Sequence, residues 1–295
     1  MRRPTDRTVP SPLPPAWPHA QASRFIDVGE QHWHVQVMGQ GPALWLLHGT
    51  GAASHSWRDL LPLLAQNHTV VAPDLPGHGF SAALPAQAQS LPGMARALAR
   101  LADHLVLPPR VIVGHSAGAA LALRAVLDGQ LAPDRLVGIN AALLPFDGLA
   151  GWLFPPLARL LNRSTLLPRL VARRARDGSA VRRLVASTGS RLDDTGLALY
   201  AQLIASPAHV AGALAMMANW DLDRLWHDLP RLATPLALLV GGRDGTVPPA
   251  QAHRVVARLN DTALVTLPHL GHLAHEEDPS TVCQALVDLL ARTQR

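Results

Sequence analysis

The chain has 295 residues, 48% of them hydrophobic and 4% aromatic, and its formal net charge of +5 is carried entirely by arginine, since no lysine occurs. That length closes one substantial hydrophobic core with an insertion rather than two independent domains, and a single cysteine, Cys283, excludes a disulfide framework. No nucleic-acid-binding motif accompanies the positive charge and aromatic stacking platforms are few, so nucleic acid is not an expected partner.

Residues 1–22 hold Pro4, Pro10, Pro12, Pro14, Pro15 and Pro18 and read as an extended Pro-rich tail. Arg2 and Arg3 are not followed by an apolar secretory segment, and no apolar run approaches the roughly 20 residues of a membrane-spanning helix. A cytoplasmic location is the expectation. From Phe25 short apolar runs at Trp33–Met38, Leu44–Leu47, Val70–Ala72, Val111–Val113 and Leu136–Ile139 alternate with helix-period stretches at Trp57–Gln66, Leu91–Leu105 and Ala117–Leu127. Strands alternating with helices predict an α/β fold, a mostly parallel sheet with helices on both faces. After Asn140 the alternation stops. Residues 144–228 are helical in pattern with breaks at Pro155, Pro156, Pro168 and Pro207, and strand signals resume at Leu236. The predicted organisation is a tail at 1–22, a core of 23–143 plus 229–295, and a helical insertion at 144–228.

Within the core, Gly114-His115-Ser116-Ala117-Gly118 lies between a strand-like run and a helix-like one. In that context G-x-S-x-G is a nucleophile elbow: the serine occupies a strained turn that lifts its hydroxyl clear, and side chains two residues away would clash. A serine attacks only with a base, an orienting acid and an oxyanion hole. His272 in Leu270-Gly271-His272-Leu273 is the best base candidate, with His275 and His269 as rivals. Asp244, after the run Leu236–Val240, is the candidate acid, although Asp-Gly is also ordinary turn chemistry. His48-Gly49-Thr50-Gly51 follows the run Ala43–Leu47. The Thr50 and Ala117 amides are the candidate oxyanion donors. His48 reads as a structural hydrogen-bonder behind that hole rather than as a base. No cysteine and histidine cluster has metal-ligand spacing, so neither a metal nor a cofactor is expected.

These residues carry a resemblance. In its order of nucleophile, acid and base, in His48–Trp57 and in Ala72–Ser81, the chain resembles the α/β-hydrolases over nearly its whole length after the tail. The resemblance implies that residues 144–228 are the cap such proteins carry after strand six. Asn140 stands where some relatives place their carboxylate, so the acid is expected at Asp244. More narrowly, His48–Leu61, Leu91–Arg96, Asn140–Phe146 and Met216–Leu222 resemble the magnesium-chelatase accessory (BchO) family of bacteriochlorophyll biosynthesis. That implies a tetrapyrrole-related substrate and magnesium chelatase as a partner.

The cap shapes the pocket in such a fold. His48, Gly49 and His115 near the elbow, with Trp152, Met216, Met217 and Trp220 in the cap, are candidate substrate-binding residues; helical core packing is the alternative for Met216, Met217 and Trp220. Between Gly151 and Arg183 eight arginines face one acid, Asp177, and are interleaved with leucines and Trp152. This reads either as a solvated cationic face or as a lid touching an anionic apolar partner, a carboxylated tetrapyrrole or the inner-membrane surface. Three functions follow: a serine hydrolase of an apolar ester in bacteriochlorophyll synthesis, an esterase or C–C bond hydrolase outside it, or a non-catalytic accessory protein.

Overall fold

The computed structural model describes residues 13–145, 170, 178–259 and 262–291. Strands β1 (Ser23–Val28), β2 (Gln31–Met38), β3 (Ala43–Leu47), β4 (Thr69–Pro73), β5 (Val111–His115), β6 (Arg135–Ile139), β7 (Leu236–Gly241) and β8 (Ala263–Leu267) form one sheet. Its order is β1-β2-β4-β3-β5-β6-β7-β8. The β1–β2 and β2–β4 pairs are antiparallel, and every later pairing is parallel.

The parallel strands read as unbroken apolar runs because both faces are covered. β3 is buried throughout. Its side chains alternate: Trp45 and Leu47 join the cluster built on α2 (Leu91–Leu105) and α3 (Ala117–Leu127), while Leu44 and Leu46 join Trp57, α1 (Leu60–Leu64) and α10 (Pro279–Ala291). α2 and α3 fall on the predicted stretches. The expected helix at Trp57–Gln66 is instead a 3₁₀ turn, Ser54–Trp57, followed by α1. Pro62, lacking an N–H, is tolerated only within a first helical turn, which this break provides.

The insertion is described from residue 178 onward, as α4 (Gly178–Ser187), α5 (Asp194–Ile204), α6 (Pro207–Asn219) and α7 (Leu222–Asp228). Three of these start on a capping side chain: Asp193 accepts from Gly196 N, Ser206 from His209 N and Asp221 from Arg224 N. Past β7 lie α8 (Ala250–Val256) and α9 (Ala274–Glu277). Trp152 and the arginines from Arg159 to Arg176 lie outside the described residues.

The tail expectation needs correcting from Leu13 on. Trp17 is buried, with its ring edge-on to Phe80 at 4.7 Å between centroids, and it shares a cluster with Leu199 and Leu203 of α5. Pro18 O accepts from Gln36 Nε2 at 2.6 Å, which fixes the segment to β2. A Pro-rich strip has little conformational freedom to lose, so one aromatic anchor suffices to seat it.

Polar contacts also dock α5 on the core. Arg58 Nη2 donates to Asp193 at 2.7 Å, and the Tyr200 hydroxyl donates to Glu276 Oε1 at 2.7 Å. Burial pushes the Glu276 carboxyl up to about 8, against the opposing pull of Tyr200 and Arg58. A raised carboxyl binds its proton more tightly when folded. Its contribution to stability is therefore complete below the ordinary carboxyl range and lost as pH rises through about 8. Glu276→Gln, which cannot ionise, should melt close to wild type at pH 5 and become the more stable of the two at pH 9. Parallel thermal melts check this, and a pH-independent difference would refute it.

Candidate active site

β5 ends at His115 and α3 begins at Ala117, so Ser116 alone makes the turn, with φ 51° and ψ −118°. A left-handed φ on a non-glycine residue costs on the order of 1–3 kcal/mol and persists only where the surroundings over-determine it. Here they do: Ser116 N donates to Ile139 O at 3.0 Å, and Ser116 O accepts from Ala119 N at 3.1 Å and Ala142 N at 3.2 Å. The flanking glycines are needed for close approach. A Cβ on Gly114 would strike the Ala119 backbone, and one on Gly118 would strike the Leu47 carbonyl at the end of β3.

The side chains of the candidate base and the candidate acid are hydrogen-bonded to each other. His272 Nδ1 donates to Asp244 Oδ2 at 2.7 Å, and Asp244 Oδ1 accepts from Thr246 N at 2.7 Å and Val247 N at 2.8 Å. A carboxylate held by three donors keeps one orientation, and the imidazole with its proton on Nδ1 presents Nε2 as the free base nitrogen. Both side chains are nearly inaccessible to solvent. The rivals are placed otherwise: His275 is fully buried against Trp57, with burial pushing it down to about 3, and His269 lies in the exposed turn after β8. Among the described residues the Ser116 hydroxyl makes no hydrogen bond. The Thr50 and Ala117 amides likewise donate to none of the described residues. Ala117 N is the first donor of α3, where the helix dipole favours negative charge.

Other candidates turn out to support the loops. Leu75 N donates to His48 Nε2 at 2.8 Å, so His48 Nδ1 carries the proton and donates to Gly49 O at 2.8 Å. Burial lowers the His48 pKa, which keeps the ring neutral, and it ties the oxyanion-side loop to the turn after β4. His115 is equally buried: its Nε2 donates to the His272 carbonyl at 2.9 Å. Burial, reinforced by His275 and His272, holds its pKa well below the usual histidine range. A Cβ on Gly49 would lie 2.8 Å from His115 Nδ1 and 3.1 Å from Ser116 Cβ, so the glycine allows the two loops to touch.

In the cap, Met216 is buried and its Sδ accepts from Thr50 Oγ1 at 2.9 Å, beside the expected oxyanion donor. Met217 is 41% exposed. Trp220 is half-buried against the main core. Asn140, noted in the sequence only as lacking a carboxylate, holds the loop of His272, and two further positions, His209 and Thr188, escaped the sequence. Asn140 Nδ2 donates to Gly271 O at 2.9 Å and His272 O at 2.8 Å. His209 accepts from Gly79 N at 3.0 Å and donates to Gly51 O at 3.1 Å. Thr188 O receives His272 N at 3.2 Å. A histidine or threonine within a helical run carries no local sign of such partners. Among the described residues no group of histidine, cysteine and carboxylate side chains has the geometry of a metal site.

Comparison with known proteins agrees with this architecture. Residues 46–285 match the model of the alpha/beta hydrolase family. The chain is 40% identical over 283 residues to the protein named magnesium-chelatase 30 kDa subunit in Rhodobacter capsulatus, covering 95% of this chain and 99% of that one. It is 31% identical to the pimeloyl-[acyl-carrier protein] methyl ester esterase of Xanthomonas oryzae, over 86% of this chain and 98% of the esterase. An esterase structure from Exiguobacterium antarcticum superposes with a TM-score of 0.74 at 19% identity, covering 90% of this chain and 98% of that one. With an eight-stranded, mostly parallel sheet, a strand-turn-helix elbow and a family match across most of its length, this chain belongs to the alpha/beta hydrolase family.

Proposed function

We propose that this protein is a serine hydrolase acting on an apolar ester or related acyl substrate. The observation that carries the reading is the left-handed Ser116 at a strand-helix junction, in a chain whose His272 and Asp244 are already paired. Ser116 Oγ attacks the acyl carbon while its proton passes to His272 Nε2. The oxyanion that forms takes hydrogen bonds from the Thr50 and Ala117 amides, and Asp244 stabilises the imidazolium. His272 then returns the proton to the leaving group, and water, deprotonated by the same histidine, releases the acyl group.

The 40% identical relative named as a magnesium-chelatase subunit supports a place in bacteriochlorophyll synthesis, at or near magnesium insertion. The protein would then work in the cytoplasm, with any membrane contact peripheral and made through the cap. The same name favours a second reading, an accessory protein that binds a tetrapyrrole or magnesium chelatase and keeps an idle triad. The described part of the cap suits either. α4 and α5 flank an open groove of about 590 Å³, with Arg183 and Arg182, the latter paired with Asp194 at 2.9 Å, on one side and Leu197, Ala198 and Ala201 on the other. Guanidinium groups beside an apolar wall match an anionic, apolar ligand.

Three outcomes are expected. A fluorophosphonate probe should label the folded wild type and spare Ser116→Ala; labelling that survives the substitution, or its absence from wild type, removes the hydrolase reading and leaves the accessory one. Asp244→Asn should lower kcat on a model ester by a factor on the order of 10⁴ with the fold intact, and near-normal turnover would assign the acid elsewhere. Replacing Arg173, Arg174, Arg182 and Arg183 by Gln should weaken protoporphyrin binding in titrations. Exposed ion pairs contribute only about 0–1 kcal/mol each, so that loss should shrink in high salt. Selective loss of anionic-vesicle binding would assign the charge to a membrane, and no change in either would make it a solvated face.

A further inference from the structure

The Thr188-Gly189-Ser190 turn, which links α4 to α5, lies against both the loop carrying Asp244 and the loop carrying His272. Thr188 O accepts from Gly245 N at 3.0 Å and from His272 N at 3.2 Å. Ser190 Oγ, itself buried, accepts from Leu273 N at 2.8 Å. Gly245 directly follows the acid and Leu273 directly follows the base, so one carbonyl and one hydroxyl of the cap hold the backbone on both sides of the pair.

The contact is backbone against backbone. Gly189 has φ +80°, and a Cβ there would overlap the Arg243 carbonyl oxygen. A Cβ on Gly271 would overlap the Gly189 backbone and lie 2.6 Å from Ser190 Oγ, and one on Gly245 would lie 2.9 Å from Ser187 O. Glycine on each of the three facing segments is what lets them close to this distance. Glu277 adds a bracket, accepting from Gly271 N at 2.8 Å through Oε1 and from Arg191 N at 3.2 Å through Oε2. The two loops also touch directly, Arg243 N donating to Leu270 O at 2.9 Å. The partner of the base's own amide, however, is supplied by the cap.

We propose that the Thr188-Gly189-Ser190 turn positions the Asp244–His272 pair, so that seating the cap and aligning the base are one event. Ser190 is a positioning residue that acts through the Leu273 backbone. The kinetic side of this inference rests on the serine-hydrolase reading; the alignment of the pair does not.

The test compares Ser190→Ala, which removes the hydroxyl that accepts from Leu273 N, and Gly189→Ala, which forces the turn apart, with Arg58→Met, which loosens the cap at the Asp193 ion pair away from the two loops. Two readouts are followed: the far-downfield proton resonance of the His272 Nδ1–H bond to Asp244, and kcat against KM on a model ester. Ser190→Ala should shift or broaden the resonance and lower kcat about tenfold, the rate equivalent of one lost hydrogen bond, with KM nearly unchanged. Gly189→Ala should do the same more strongly, and Arg58→Met should leave both near wild type. An unchanged resonance and kcat in folded Ser190→Ala would overturn the proposal, even if Gly189→Ala fails to fold. So would equal effects from Arg58→Met, or a wild type lacking the resonance. If wild type shows the resonance but neither turns over an ester nor takes the fluorophosphonate label, the hydrolase reading fails while the resonance still decides whether the turn aligns the pair.

Discussion

One buried amide holds together the end of the sheet that carries the candidate site. Asn140, at the end of β6 with φ 46°, donates through Nδ2 to the carbonyls of Gly271 and His272 and accepts Gly241 N on Oδ1 at 2.7 Å. Both amide hydrogens and the oxygen are used, and because both acceptors are carbonyls only one orientation of the amide fits. His115, the residue before Ser116, donates to the same His272 carbonyl. The elbow and the end of β6 therefore converge on the His272 carbonyl oxygen, and β7 joins them through Asn140 Oδ1. A carboxylate at position 140 would face two carbonyl oxygens with no proton to offer either, and each unmet polar contact of that kind costs about 1–3 kcal/mol. The end of β6 is thus committed to holding the His272 loop, and the candidate acid Asp244 stands one strand over.

The abundance of buried histidine has a related cause. The loops at 48–54 and 74–81 are irregular backbone without a ladder partner, and they carry donors and acceptors that burial would otherwise leave unmet. A neutral imidazole offers one of each. His48 and His209 each spend the pair on two loop groups, one taking Leu75 N and giving to Gly49 O, the other taking Gly79 N and giving to Gly51 O. Burial lowers the pKa of both, His209 to about 4, so the arrangement holds through neutral pH. A lowered histidine contributes stability that is present above its ordinary titration range and lost as pH falls through the folded value. Acid therefore removes the acceptors of Leu75 N and Gly79 N, both in the 74–81 loop.

What was legible in the sequence is what is local. The glycines at 114 and 118 and the exact stretches of α2 and α3 follow from spacing and periodicity, and the pairing of Asp244 with His272 was readable because each follows a strand. Features set by tertiary packing were hidden. Met216 and Met217 look alike in sequence, yet neighbours on a helix point about 100° apart, and only Met216 reaches Thr50. His115 seemed a pocket residue because it adjoins Ser116, but its ring is spent on the His272 backbone. Trp17 lay in a segment whose proline content signals extension and says nothing of what it lies against.

The cap is tied to the core on both sides of the candidate site and again where it returns to the sheet. His209 and Met216 contact the oxyanion-side loop, and Thr188 and Ser190 contact the base side. Its last helix, α7, ends on Asp228, which accepts from Arg124 Nη1 at 2.8 Å. Arg124 belongs to α3, the helix that starts after Ser116, and is 2% exposed. Asp128, one turn along α3, accepts from the same guanidinium at 2.6 Å. Removing one partner of a buried ion pair costs about 3–5 kcal/mol, because the other charge is stranded. Asp128 softens that penalty for Arg124 without replacing the link to α7. The helix that sets the strained turn at Ser116 is thereby fastened to the end of the insertion, so a change in how the cap returns to the sheet bears on Ser116 as well as on His272.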